Sequence, residues 1–409
     1  MGLFLIQVTK LFMFSFDSSK LTAKHLLLCA VFVMSLTSSV WNVLLNNYAV
    51  HILNFDGDKI GLLQSIREIP GFLAFGAIYV LLFIKEQTFA YIFLALMCIG
   101  TAITGGVQTA TWFYMTTFIM SIGFHYFETI NQSLTLQWVN KTESAQFMGS
   151  QLASRSIASL IAFVSVWLLM EKFQVSYNST YVTFGVLGFV LVVAMWFIFP
   201  NIPAKELQTK KFLLRKRYWL YYALTFMSGA RRQIFTVFAA FLMVQKFQYS
   251  VGDISVLFTI NLIFNILFAK KIGAWIGRVG ERTALKFEYT GLIVIFMGYA
   301  LVTNPHIAAG LYVLDHLFFA MAIAIKTYLQ KIADPKDLAA TASVSFTINH
   351  IAAIFIPVVL GLVWLDSITW VFIIGVGFAV CSLILAFFVP CDPKEGNEVA
   401  FSLVGGKRD

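Results

Sequence analysis

Charged residues are scarce in this sequence: Asp, Glu, Lys and Arg make up 12% of the 409 residues, whereas soluble domains carry about 25%. This scarcity excludes a soluble globular protein. Cysteine is also rare, and the four cysteines show no paired spacing: Cys29, Cys98, Cys381 and Cys391. We therefore predict neither a disulfide framework nor a zinc site.

Several motifs of enzymes and pumps are absent. The sequence contains no HExxH, Walker or GxSxG motif and no pair of Asp-rich prenyl-diphosphate motifs. These absences argue against a membrane enzyme or an ATP-driven pump. We expect no catalytic residue, no cofactor and no metal ion.

Hydrophobic residues, in contrast, make up 59% of the chain, and the mean hydropathy is +0.81. A water-facing core could not bury so many, so we predict an integral membrane protein. A bilayer needs about 20 apolar residues per helix, and runs of this kind recur twelve times. The predicted spans are 25–53, 59–84, 88–107, 110–137, 144–170, 179–200, 218–245, 251–273, 285–303, 307–330, 338–364 and 368–390.

The basic residues are distributed unequally between the predicted loops. Twenty-one Lys and Arg residues fall on the side of the two termini, and the opposite side carries only Lys59, Lys172 and Lys246. Because cytoplasmic loops are enriched in Lys and Arg, we expect both termini to be cytoplasmic. This topology explains the net charge of +9 without a nucleic acid partner. The cluster within 201–217 could also contact anionic membrane lipid, although a solvated linker is the simpler interpretation.

The longest polar break, 201–217, divides the spans into two sets of six. Two pairs of segments separated by about 194 residues show weak internal sequence similarity, and one of them pairs IGLLQSIRE with ISVLFTINL. This similarity supports duplicated bundles of the kind found in transporters. The expected organisation is an interfacial N-terminal segment (1–24), a first bundle (25–200), a basic linker (201–217), a second bundle (218–390) and a cytoplasmic tail (391–409).

The segment GAWIGRVGERTAL between the eighth and ninth spans resembles the cytoplasmic gating motif of the major facilitator superfamily (MFS). Its matching residues are Gly273, Arg278, Gly280 and Arg282. Gly277 and Glu281 depart from the motif, and the first half lacks it at 84–89. The resemblance implies an all-α membrane protein with twelve transmembrane helices in two pseudo-symmetric six-helix bundles. It also implies that the first, fourth, seventh and tenth helices line a central cavity, which would place there Asn46 or Asn47, Glu128, Arg231 or Arg232, and Lys326.

Ionisable residues inside the spans are the main functional signal, because a charge at the bilayer centre costs at least about 2.5 kcal/mol. Five basic residues lie there: Arg67, Arg155, Arg231, Arg232 and Lys326. Against the acids Glu68, Glu128 and Asp315, they predict a net interior charge of plus two. Guanidinium groups at one depth suit capture of a carboxylate or phosphate. Internal salt bridges that fix helix packing are the alternative for any single residue.

A proton could couple transport through a carboxylate or histidine that changes protonation between the two sides of the membrane. The candidates are Glu128 with His125, Glu68 beside Arg67, and Asp315 with His316. The first span contains no carboxylate, so facilitated transport or exchange stays open. The pair Asn349-His350 is interpreted as a packing feature.

Together these features predict a monomeric secondary transporter that moves a small organic anion across the plasma membrane, as in a bacterial inner membrane. One alternative is a proton-coupled exporter of amphipathic or cationic compounds, which the 16% aromatic content would favour. The other is a receptor of the same fold that transports nothing.

Overall fold

A computed structural model describes residues 22–76, 83–139, 141–202, 214–334 and 337–400. The predicted N-terminal interfacial segment therefore lies almost entirely outside the described residues, as do most of the basic linker and the end of the tail. The first half of the described chain (22–202) contains six α-helices, which are α1 Ala23–His51, α2 Gly57–Phe72, α3 Glu86–Thr104, α4 Ala110–Trp138, α5 Lys141–Trp167 and α6 Tyr177–Ile198.

The second half (214–400) contains eight helical segments, because two of its long helices are interrupted. The segments are α7 Trp219–Gln233, α8 Ala240–Gln245, α9 Val251–Val279, α10 Glu281–Leu301, α11 Pro305–Phe319, α12 Ile323–Ile332, α13 Leu338–Asp366 and α14 Ile368–Phe387. A π-helical stretch, Ile234–Ala239, joins α7 to α8, and a 3-10 turn, Ala320–Ala322, joins α11 to α12. Counting contiguous segments together, the described residues form twelve helical rods.

Nine helices in the described part of the chain are long and apolar enough to cross a membrane. The remaining three rods are α2, α4 and α7 with α8. These are the rods that carry Arg67 with Glu68, His125 with Glu128, and Arg231 with Arg232. Intramembrane polar residues normally face the interior of a bundle, so the reduced apolar character of these rods is expected for helices that line a polar centre.

Successive rods alternate in direction and so define two ends of the molecule. The proximal end carries the connections after α6, α9, α12 and α14, and the distal end carries those after α1, α8, α10 and α13. Polar side chains cap five of the six rods that begin at the distal end, where they accept hydrogen bonds from otherwise unpaired backbone N–H groups. These caps are Asp56, Thr109, Ser176, Ser250 and Asn304.

The two halves pack tightly against each other at the distal end. α2 and α13 cross there at glycines: a Cβ atom on Gly61 would lie 2.2 Å from the carbonyl oxygen of Pro357, and one on Gly361 would lie 2.4 Å from that of Gly57. Asn47 also donates a hydrogen bond of 2.7 Å to the carbonyl of Tyr249 across the same boundary. The distal end is therefore closed.

At the proximal end, the polar pairs between described residues lie within one half. Gln137 donates to Glu86 at 2.9 Å in the first half, and Lys331 pairs with Glu281 at 2.8 Å in the second. Among the described residues, hydrogen bonds and ring contacts that join the halves run from the distal end no further than the level of Glu68. The structure is thus closed distally, with no such link between described residues proximally.

α9 extends six residues beyond the predicted end of the eighth span, to Val279. The helix continues through Gly273 and Gly277 and ends at Gly280, whose φ is +80°. Such a φ favours glycine, because a Cβ atom would strain the backbone there. Gly280 therefore sets the turn between α9 and α10.

Candidate functional site

Arg67 and Glu68 lie near the middle of the molecule on α2, about 15 Å along the helix from its distal start. The Arg67 guanidinium donates to Oε1 of Glu68 at 2.6 Å. Glu68 is buried, whereas about a quarter of the Arg67 side chain remains accessible. The hydroxyl of Ser121 on α4 donates to the backbone carbonyl of Arg67 and ties α2 to α4 at this level.

His350 on α13 reaches this pair from the second half. Its Nε2 lies 3.7 Å from Oε2 of Glu68, and its ring centroid lies 5.3 Å from that of His125 on α4. Gly71 leaves room for both rings, since a Cβ atom there would lie 2.2 Å from Nε2 of His350. We call Glu68, His125 and His350 the seam cluster, because it lies where the two halves meet.

The seam cluster also meets a geometric criterion for metal binding, since its potential ligand atoms lie within 4.8 Å of one another. Its electrostatic surroundings oppose a divalent cation, however. Arg67 occupies one oxygen of Glu68, and Arg232 is close enough to interact electrostatically with that carboxylate. We therefore do not assign a metal to it.

Arg155 on α5 pairs with Glu128 on α4. One guanidinium nitrogen lies 3.1 and 2.8 Å from the two carboxylate oxygens, and each side chain is about a quarter accessible. The pair joins two helices of the first half and keeps both charges within reach of a solute. In this structure it is an internal salt bridge, the alternative that the sequence had left open.

Arg231 and Arg232 are neighbours on α7 but have different surroundings. Arg231 is 3% exposed, lies 3.3 Å from Glu288 on α10 and stacks 4.2 Å above the ring of Tyr289. Arg232 is half-buried and close enough to Glu68 and Arg67 of the other half for electrostatic interaction. Among the described residues, Arg232 has no salt bridge or side-chain hydrogen-bond partner. Arg231 thus belongs to the interior of the second half, and Arg232 to the boundary between the halves.

Glu288 lies inside the ninth predicted span, but it is missing from the interior acids that were identified from the sequence. Adding Glu288 to the three predicted interior acids lowers the predicted interior charge from plus two to plus one. Three of the five basic residues have a carboxylate partner. The signal for Glu288 was present in the sequence, because a carboxylate within an apolar run needs a partner.

The other predicted site residues are dispersed. Asn46 and Asn47 are buried towards the distal end of α1, and Lys326 is exposed on α12, six residues from its proximal end. Asp315 is fully buried on α11, and its Oδ2 has no hydrogen-bond partner in the described structure. His316 lies 2.7 Å from the side-chain nitrogen of Asn265, within the second half.

The predicted gating motif lies at the α9–α10 turn. Gly273 and Arg278 lie on the last turns of α9, and Arg278 is exposed. Arg282 donates to Sγ of Cys391 at 3.2 Å. Glu281, where the family pattern has a basic residue, pairs instead with Lys331 of α12.

A second salt bridge strengthens the same end. Arg215 donates two hydrogen bonds to Asp337, at 2.5 and 2.9 Å. These hydrogen bonds hold the pKa of Asp337 below its usual value. Both residues lie outside the helical rods, at the proximal end of the second half.

A cavity of about 50 Å³ lies beside the seam cluster, within the first half. A cavity of this size admits one or two water-sized groups. It is lined by Ser38, Trp41, Asn42, Arg67, Glu68, Met120, Ser121, Phe124 and His125. The residues from α1 were not predicted, because neutral polar side chains give a weak signal within an apolar run.

Comparisons with known proteins agree with this architecture. A family model described as Major Facilitator Superfamily matches residues 26–357. A crystal structure of the nucleoside transporter NupG has a TM-score of 0.70 at 20% identity, covering 90% of this chain and 98% of that one. A bacterial homolog of the human lysosomal transporter Spinster, in an inward-facing and occupied conformation, has a TM-score of 0.74 at 12% identity, covering 93% and 98%. These identities establish likeness of fold alone, and no curated protein matches the sequence significantly.

Proposed function

The chain belongs to the Major Facilitator Superfamily, and we propose that it is a monomeric secondary transporter that moves a small organic anion by alternating access. The closed distal end, and the lack of hydrogen bonds and ring contacts between the halves among the described residues of the proximal end, fit one state of such a cycle. The excess of Lys and Arg on the proximal side supports a cytoplasmic location for that side and for both termini. The state described here is then inward-facing, in a plasma membrane such as the bacterial inner membrane.

Arg232 is the observation on which the anionic substrate depends. It is about 20 Å along α7 from the proximal start of the helix, so it is near the centre of the membrane. It points to the boundary between the halves, and no described carboxylate neutralises it at salt-bridge distance. A half-buried guanidinium without a partner is costly, and the carboxylate or phosphate of a solute would satisfy it.

The accessible sides of the Arg67–Glu68 and Arg155–Glu128 pairs would bind the rest of the solute. Both pairs are electrically balanced, so they can hydrogen-bond polar groups without selecting a charge. The 50 Å³ cavity beside Arg67 suits a single small polar group of the solute, not the whole molecule. We include Asn42 of its wall among the solute contacts.

The pairing of the central acids argues against the cationic alternative. Glu68, Glu128 and Glu288 each have a guanidinium partner, so a cationic solute would have to compete with that guanidinium for the carboxylate. Asp315, whose Oδ2 has no hydrogen-bond partner in the described structure, is fully buried. A neutral solute, such as the substrate named for the nucleoside transporter, would leave Arg232 without a counter-charge.

The test is a thermal-shift screen of the purified protein against carboxylates, phosphate esters, nucleosides and lipophilic cations, followed by flux in proteoliposomes. We expect an anion to stabilise the wild type and to be transported. In Arg232→Gln, its affinity should fall at least about tenfold, because a hydrogen bond to a charged group contributes about 1.5–3 kcal/mol. Arg232→Lys keeps the charge and should retain part of the affinity.

Equal anion affinity in wild type and Arg232→Gln, at unchanged melting temperature without ligand, would refute the role of Arg232. If only a nucleoside or only a cation stabilises the protein, that class of solute would replace the anion as the proposed substrate. Ligand binding without flux would favour a receptor that transports nothing.

A further inference from the structure

We propose that Glu68 and His350 together bind one proton, which the two halves of the protein share across their boundary. This inference rests on the alternating-access function proposed above. It concerns the coupling ion rather than the solute. The proton would hold the distal end closed when it is bound.

The hydrogen bonding of His350 defines which ring nitrogen faces Glu68. Nδ1 lies 2.9 Å from the carbonyl oxygen of Phe346, and a carbonyl can only accept a hydrogen bond. Nδ1 therefore carries a hydrogen, and in the neutral ring Nε2 has a lone pair. This lone pair faces Oε2 of Glu68 at 3.7 Å, beyond hydrogen-bond length.

Without a further proton, two acceptors face each other across the boundary. A proton on Nε2 or on Oε2 converts this contact into a hydrogen bond between α2 and α13. That bond would be charge-assisted if the imidazole held the proton, and such bonds are about twice as strong as neutral ones. Proton binding therefore attracts the halves to each other at this level.

The other oxygen of Glu68 is already occupied, because Oε1 accepts from Arg67 at 2.6 Å. Oε2 is thus the oxygen that remains for His350. The charged or titratable groups around this oxygen are Arg67 on α2, His125 on α4 and Arg232 on α7. Besides His350, Oε2 thus has two guanidinium groups and one further imidazole as neighbours.

Gly71 shows that the helices are arranged to admit these rings. It lies one helical turn after Glu68, and a Cβ atom there would lie 2.2 Å from Nε2 of His350 and 2.8 Å from Cε1 of His125. Any other residue would displace the imidazole that meets the carboxylate. The contact between Glu68 and His350 thus depends on a glycine at this position.

The consequence is a linkage between pH and conformation. When the halves separate distally, Glu68 and His350 move apart and the shared proton loses one of its two binding groups. The distal-closed form then binds the proton more tightly, so low pH favours it. An anion at the neighbouring Arg232 would also offset the added positive charge, which would make anion and proton binding mutually favourable.

The experiment measures the distance between the halves without any solute. Spin labels at Gln108→Cys and Thr303→Cys, two exposed positions in opposite halves at the distal end, report whether that end is closed. The background replaces the exposed Cys381 and Cys391 with Ser. Between pH 8.5 and pH 5.5 we expect the ratio of closed to open molecules to rise about tenfold, which corresponds to about 1.4 kcal/mol.

The discriminating variant is His350→Gln, whose side-chain amide can donate to Glu68 at any pH. It should keep the distal end closed and remove the pH dependence. His350→Phe cannot donate and should be open at both pH values. The matched control is His51→Gln, because His51 is an exposed histidine at the distal end of α1 and is not part of the seam cluster. Its pH response should equal that of the wild type.

A pH response that survives in His350→Gln and His350→Phe would overturn the proposal. So would a closure that requires added Zn²⁺ and not a proton. If both variants fail to fold, Gly71→Ala applies the same test from the other helix, and an unchanged pH response there would also overturn it. None of these readouts uses the solute, so failure of the anion proposal at Arg232 would leave them unchanged.

Discussion

The close crossing of α2 and α13 predicts that a single methyl group will open the distal end. In Gly61→Ala, the new Cβ atom would lie 2.2 Å from the carbonyl oxygen of Pro357 and 3.0 Å from its carbonyl carbon. The first distance is about 1 Å shorter than a van der Waals contact allows. Both partners are backbone atoms, so no side-chain rotation relieves the overlap, and the helices must separate.

The cost can be estimated from overpacking in protein interiors, which is about 1–3 kcal/mol per inserted group. The substitution penalises only the distal-closed form, because in the open form the halves no longer touch at Gly61. The ratio of open to closed molecules should therefore rise about 5- to 150-fold. The open form avoids the steric overlap. The melting temperature should therefore fall less than it would in a protein that has only the closed conformation.

The spin-label pair at Gln108 and Thr303 measures this change directly. Gly377→Ala is the matched control, because Gly377 lies on an exposed side of α14. No heavy atom beyond its own helix lies within 4 Å of the position that the new methyl group would take. This substitution should not change the distance between the spin labels. Gly361→Ala, with a Cβ atom 2.4 Å from the Gly57 carbonyl oxygen, should open the same boundary. Combined with Gly61→Ala, it should add little, since the halves are already apart. A distance distribution in Gly61→Ala equal to that of the wild type would refute this account of the closed end.

Three further outcomes follow from the polar contacts. Arg231→Met alone should lower the free energy of unfolding by about 3–5 kcal/mol, because it leaves the buried Glu288 without its counter-charge. In denaturation experiments, the double variant Arg231→Met with Glu288→Leu should recover most of this loss. Asp337 should stabilise the proximal end at neutral pH and lose this effect as the pH falls through its lowered pKa, so Asp337→Asn should reduce the acid-induced fall in melting temperature. Gly71→Ala should open the distal end at low pH more than at high pH, as the spin labels would report, because it displaces the imidazole of α13.

The fold was predictable because a helix needs about 20 apolar residues to cross a bilayer, so each apolar run of that length marks one helix. The twelve predicted spans correspond to twelve rods in the described part of the chain, and the match of residues 26–357 to a family model confirms the resemblance. Interruptions were not predictable in the same way. The π-helical stretch Ile234–Ala239 and the 3-10 turn Ala320–Ala322 lie within apolar runs, and hydropathy carries no information about backbone hydrogen-bond register.

The site was less predictable, because pairing depends on the rotation of each helix. From their similar depths, we predicted that Arg67, Arg155 and Arg231 together bind an anion. In the structure, each has its own carboxylate partner. His350 was interpreted as a packing residue, since its partner Glu68 lies in the other half of the chain. Depth within the membrane follows from counting residues along a span, whereas the direction of a side chain requires the packed structure.

Arg231 and Arg232 show how the rotation of a helix about its axis gives two neighbouring residues different roles. Adjacent residues on a helix point about 100° apart, so one guanidinium of this pair faces α10 and the other faces the first half. The inward one has a carboxylate, an aromatic ring and almost no solvent, and its charge serves to hold the second half together. Arg232, which faces the first half, has no carboxylate at salt-bridge distance among the described residues. Its surroundings change whenever the halves move. A charge whose environment differs between two conformations can couple a ligand to the equilibrium between them, and this difference favours Arg232 over Arg231 as the residue that binds the solute.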